Sequence, residues 1–140
     1  MFNYDYEYTG PAASLSKALL VARENIISID GDLLINKNDF IKFIEFPDEC
    51  VPVANIKSIE PILATVKNKK IISFSKNIGN FEWPGIAKIK KDKLNKCDGY
   101  IYEMIEPLLP LNTMIIRTRG IDTPEDYEEM LNWINSGYSN

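Results

Sequence analysis

Two carboxylates separated by a single glycine interrupt an apolar stretch, IISIDGDLLIN at residues 26–36. Aspartate is a poor strand former, so Asp30-Gly31-Asp32 marks the end of a strand rather than its middle. A carboxylate just past the carboxyl end of a buried strand, beside a glycine that lets the backbone bend, is well placed to hold Mg²⁺ against substrate phosphates. A second candidate, Asp122 in RTRGIDTPEDYEEM, lies between a strand end and a helix start. If those two strand ends are neighbours, Asp32 and Asp122 can share one metal ion. Plainer roles compete. Asp30 and Asp32 also suit a turn or a helix cap, and Asp122 also suits the start of the last helix.

Composition narrows the chemistry. The 140 residues contain no histidine, which excludes a Ser-His-Asp triad, a Cys-His dyad and a His-ligated zinc within this chain. Catalysis must therefore use carboxylates, lysines, hydroxyls or a hard metal. Cys50 and Cys97 are far apart and follow no CxxC spacing, so they read as reduced thiols of a cytoplasmic protein. A net charge of −4 argues against a general nucleic-acid binder. No stretch approaches the roughly 20 apolar residues that span a bilayer, and the acidic, aromatic start MFNYDYEYTG is no secretion signal.

The elements that must position these carboxylates follow from periodicity. SLSKALLVARE has helical spacing at Leu15, Ala18, Leu19 and Ala22, with Ser14 as N-cap. NIISID reads as a strand buried on both faces, as in a parallel sheet. NKNDFIKFIEF predicts a short helix, and ECVPVANI a strand. EPILATVKNKKIISFSK predicts a hairpin turning at KNKK, and WPGIAKIKKDKL another strand. GYIYEMIEPLLP is helical until Pro107, TMIIRTRG is a strand, and TPEDYEEMLNWINSG is a helix capped by Thr123, with Pro124 first and Gly137 after its end. Strands alternating with helices predict a single α/β domain over residues 1–140, with a mixed, mostly parallel sheet flanked by helices.

Taken in order, these segments resemble the nucleotidyltransferases that activate sugar phosphates or choline-type phosphates with an NTP. IISIDGDLLIN is similar to the family strand that ends in Gly-Asp, and GIDTPEDYEEM to its closing pattern. The resemblance implies Mg²⁺ as cofactor, with Asp32 and Asp122 as its ligands. YTGPAASLSKAL resembles the segment that contacts the nucleotide base, which implies Gly10, Ala13 and Ser14 there. KIISFSK resembles the hairpin strand ending in a lysine near the acceptor phosphate, here Lys76, which also reads as an ordinary solvated lysine. FEWPGIAKIKKDKL resembles the acceptor-side segment, which implies Glu82 and Trp83 at the acceptor, although Trp83 also suits a core. A tryptophan beside a carboxylate would suit a cationic head group.

The resemblance implies a partial GT-A or Rossmann-like fold that moves a nucleotidyl group from an NTP, CTP or UTP, to a phosphorylated small molecule. The alternative is a nucleotide or nucleotide-sugar binding module without catalysis. The family's glycine-rich LAAGxGxRL loop, whose backbone amides hold the triphosphate, has no counterpart in these residues. By that comparison about the first third of the family fold is missing. The expectation is a chain inactive by itself, with an exposed sheet edge that calls for a homo-oligomer or a complementary chain.

Overall fold

The computed structural model describes residues 2–137. Its first helix, α1 (Pro11–Ala18), begins earlier than the apolar spacing predicts. Proline's fixed φ suits the first helical position, and the Ala12 amide finds the Gly99 carbonyl at 3.0 Å. Ser14 is therefore inside the helix rather than its cap.

The strands form three small antiparallel sheets. β1 (Asn25–Ile29) pairs with β6 (Ile86–Lys90), and β2 (Leu33–Ile35) with β8 (Thr118–Gly120). The third sheet has four strands in the order β5-β3-β4-β7, formed by β3 (Leu63–Lys67), β4 (Lys70–Ser75), β5 (Phe81–Glu82) and β7 (Leu111–Asn112).

The mostly parallel sheet is thus corrected. Every ladder among the described residues is antiparallel, and the parallel contact is an isolated bridge between Val53 and Ile115. Two local causes are visible. Asn68 and Lys69 both take positive φ, 50° and 59°, closing a two-residue turn that sends β4 back beside β3. In β1, apolar composition does not mean burial on both faces, since Ile27 and Ile29 are each 40% exposed.

ECVPVANI, read as a strand, is instead the buried thread that joins the β1–β6 sheet to the four-stranded sheet. Cys50 bridges Lys88, the Val51 amide reaches Asn112, and Ala54 bridges Glu82. Pro52 lacks the N–H that a continuous ladder would need. Val51, Val53, Ala64, Ile71 and Ile105 fill the larger apolar core around this thread.

The helices follow local signals. In α2 (Lys37–Glu45), Asn36 caps by accepting the Asn38 and Asp39 amides, and Phe43 packs against Cys50, Ile86 and Ile116 in a second core. α3 (Ile101–Ile105) passes into a short 3₁₀ turn at Pro107. α4 (Pro124–Asn135) starts on a Thr123 cap with Pro124 first, and Gly137 follows at φ 70°. No helix among the described residues is long and apolar enough to cross a membrane.

Candidate functional site

Gly31 sits in the turn between β1 and β2, so Asp30 follows one ladder and Asp32 precedes the next. Leu33 pairs with Gly120, and one step beyond, the Ile121 amide donates to the Asp32 carbonyl at 3.0 Å. The residue before Asp122 therefore lies opposite Asp32 at the start of β2, whereas the carboxyl end of β1 pairs with β6. A Cβ on Gly120 would lie 3.7 Å from Asp122 Oδ2, so the Asp122 carboxylate folds back over the residue that pairs with Leu33. Both aspartate side chains belong to exposed residues.

Asp122 is held from behind. Its amide donates to Asp126 Oδ2 at 3.1 Å, and the same oxygen accepts the Thr123 amide and hydroxyl, each at 2.8 Å. The Thr123 hydroxyl, with the amides of Thr123 and Asp122, holds the Asp126 carboxyl below its ordinary range. Asp126 is committed to this cap.

Asp30 carries a stronger perturbation than sequence reasoning assigned to a residue of the turn. Partial burial, and then the charge of Asp32, push its carboxyl up to about 6. It rests on Gly85, where a Cβ would come within 1.9 Å of Asp30 Oδ2 and where φ is +78°. The signal was available in the Asp-Gly-Asp spacing. The contact with Gly85 was not, because it depends on the β1–β6 register, in which the Asp30 amide donates to the Gly85 carbonyl at 3.2 Å.

The residues assigned to the base form a second neighbourhood. The Gly10 amide donates to Asp98 Oδ1 at 2.9 Å, and a Cβ there would meet the Gly99 carbonyl oxygen at 2.1 Å, so only glycine fits this close approach. Ala13 is half-buried, and the exposed Ser14 accepts from Asn3 at 3.0 Å. Lys76, beyond the end of β4, places its ammonium 5.6 Å from the centroid of the Tyr100 ring, next to Gly99 in sequence. No described carboxylate lies within ion-pair distance of Lys76.

Glu82 and Trp83 face inward. Glu82 Oε2 accepts the Lys57 and Ser58 amides at 2.9 and 3.0 Å, so this 7%-exposed carboxylate fastens a loop. The Trp83 indole N–H donates to the Ile86 carbonyl at 2.9 Å, and its ring packs with Phe74 and Tyr102. Trp83 is a core residue in this structure. The apolar recess between α1, β1, β6 and α3 and the open groove beside Arg23 and Lys90 include none of the residues implied by the resemblance.

The fold has solved relatives. An inositol-1-phosphate CTP transferase from T. maritima superposes with a TM-score of 0.73 at 15% identity, covering 99% of this chain and 67% of that one. A glucose-1-phosphate thymidylyltransferase from Bacillus anthracis, crystallised with sucrose, gives 0.65 at 14% identity over 87% of this chain and 60% of that one. HddC from Yersinia pseudotuberculosis gives 0.61 at 16% identity over 89% and 62%, and was also solved with GMP-PN. The chain has the nucleotidyltransferase fold. It spans about two thirds of the length of these nucleotidyltransferase-fold structures. No protein-family model and no curated protein matches the sequence.

A divalent cation fits the donor set. No group of three or more His, Cys, Asp or Glu among the described residues could form an all-protein cage. Mg²⁺ needs none, because it binds through one or two carboxylates and fills its octahedron with water and phosphate oxygens. Asp32 and Asp122 are exposed carboxylates on either side of the β2–β8 pairing, of the donor type that such an ion takes.

Proposed function

We propose that this chain is the metal-binding portion of a nucleotidyltransferase, acting on an NTP, CTP or UTP, and a phosphorylated small molecule such as a sugar phosphate or a choline-type phosphate. The observation that supports this reading is the nucleotidyltransferase fold, in which the Ile121 amide donates to the Asp32 carbonyl at 3.0 Å and so brings the residue before Asp122 opposite Asp32. In the reaction, a phosphate oxygen of the acceptor attacks the α-phosphorus, the bond to the bridging oxygen breaks, and pyrophosphate leaves. No side chain forms a covalent intermediate, so the lack of histidine is no obstacle.

Each residue has a limited task. Asp32 and Asp122 hold the Mg²⁺, which when bound neutralises charge on the phosphates. Thr123 and Asp126 keep the Asp122 backbone in place. Lys76, beside Tyr100, meets the acceptor phosphate, and Gly10, Ala13 and Ser14 border the base. Glu82 and Trp83 support the acceptor side from within, through the loop and core contacts that occupy them.

A second reading is a nucleotide or nucleotide-sugar binding module without catalysis. Calorimetry with CTP, UTP and nucleotide sugars, with and without Mg²⁺, run beside a pyrophosphate-release assay, separates the two. The proposal expects Mg²⁺-dependent nucleotide binding that Asp32→Asn abolishes, and no turnover until a complementary polypeptide is present. Binding that no complementing chain converts to turnover supports the module, and no binding at all overturns both.

A further inference from the structure

A row of aromatic rings runs outward from the core and ends at Lys76. Its inner members, Phe74 of β4 and Trp83, are buried, with ring centroids 5.7 Å apart. Both meet Tyr102 of α3, at 6.1 and 6.4 Å. Tyr102 in turn stacks on Tyr100, the centroids 5.7 Å apart and the planes 18° from parallel. The Lys76 ammonium lies over the Tyr100 ring, 5.6 Å from its centroid.

The backbone beneath Tyr100 is fixed as well. Its amide donates to Glu103 Oε2 at 2.9 Å. The preceding Gly99 takes φ +110°, donates its amide to Asp98 Oδ1 at 2.8 Å and accepts the Ala12 amide at 3.0 Å. Asp98 Oδ1 also accepts the Gly10 amide at 2.9 Å. Core rings hold the Tyr100 side chain from one direction, and the start of α1 holds its turn from another.

We propose that Tyr100 is a positioning residue for Lys76, holding the ammonium against its ring so that a phosphomonoester meets a cation already in place. This rests on the reading of Lys76 as the contact for the acceptor phosphate. A lysine side chain gives up much rotamer freedom when it is immobilised, and here part of that ordering precedes binding. The ring attracts the cation through its face, while the ammonium keeps N–H donors for phosphate oxygens.

Side-chain NMR and calorimetry of the full chain test this, with glucose 1-phosphate and choline phosphate as probes and glucose and choline as controls. In the free protein the Lys76 Hε protons are expected upfield of those of the other lysines, because they lie over the ring. Tyr100→Leu removes that shift and weakens phosphate-probe binding by at least about threefold, whereas Tyr100→Phe keeps both. A tyrosine with a merely structural role would change the melting temperature without moving the Lys76 resonance. An unshifted Lys76 in the free protein overturns the proposal, as does a Tyr100→Leu chain that binds as tightly as the unsubstituted one. If Tyr100→Leu does not fold, Tyr100→Gln takes its place. Lys76→Gln separates the two readings. Unchanged affinity there removes Lys76 from the phosphate site and overturns this proposal with it, as does binding of neither probe. Weaker binding in Lys76→Gln with none in Tyr100→Leu overturns the role of Tyr100 alone.

Discussion

Arg117 holds Asp39 by three hydrogen bonds. Its Nε donates to Oδ2 at 2.8 Å, its Nη2 to Oδ1 at 3.1 Å, and its backbone amide to Oδ2 at 3.0 Å. This fork ties α2 to the segment entering β8, and so fixes the ladder that ends at the two candidate metal ligands. Asp39 is 8% exposed, so its removal leaves a backbone amide and a guanidinium without their acceptor. Asp39→Ala is expected to cost about 2–3 kcal/mol in urea unfolding at neutral pH.

The same pair sets an acid limit. The Arg117 hydrogen bond holds the Asp39 carboxyl below its ordinary value of 3.8, while the unfolded chain keeps that value. A lowered folded value contributes stability that is fully present above 3.8 and is lost as pH falls through the folded value. Urea midpoints measured from neutral pH down through about pH 3 are expected to drop below about pH 4, and Asp39→Asn to flatten that limb. An unchanged limb would mean that the fork contributes nothing to the acid sensitivity.

Asp32→Asn and Asp122→Asn touch exposed side chains whose carboxylates hold no other element in place. Each is expected to shift stability by no more than about 0.5 kcal/mol. Each should also weaken Mg²⁺-dependent nucleotide binding by at least about tenfold, because the proposal gives the ion only these two protein ligands. Calorimetry beside thermal unfolding reads both. Binding that survives either substitution would remove that residue from the metal site.

Glu82 gives the opposite pattern. Glu82→Ala frees the Lys57 and Ser58 amides, and is expected to cost about 1–3 kcal/mol and to speed proteolysis over residues 55–60. Weaker acceptor binding with stability and cleavage unchanged would restore a direct contact with the acceptor.

Gly85→Ala combines a strained backbone with a steric conflict. The left-handed conformation at φ +78° costs about 1–2 kcal/mol for an alanine, and the new methyl meets the Asp30 carboxylate. A double-mutant cycle with Asp30→Ala should recover the carboxylate's share and leave the backbone cost. Full recovery would show that φ carries no penalty here.

The elements that local chemistry specifies were legible in the sequence. Thr123, Pro124 and Gly137 bracket the last helix, Asn36 opens α2, and KNKK turns the hairpin. The pairing direction was not legible, because NIISI has the composition of a strand buried on both faces while only alternate residues are covered. Asp32 and Asp122 were singled out and paired from their places at strand ends, and the resemblance added the metal-ligand role that is proposed for them. The core reading of Trp83 was open in the sequence, but the inward role of Glu82 was hidden, since its partners arrive through a loop distant in sequence. The Asp39–Arg117 fork, 78 residues apart, had no local mark at all.

Asp126 ties the Asp122 backbone into the first turn of α4. That turn cannot fray without loosening one of the two carboxylates proposed to hold the cation. Affinity for the ion and local opening of the helix are then one thermodynamic quantity measured at two places. A substitution that weakens the Thr123 cap should cost affinity although it touches no ligand. A bound cation should in turn slow exchange of the Asp126 and Tyr127 amides, so the last helix reports on occupancy from outside the site.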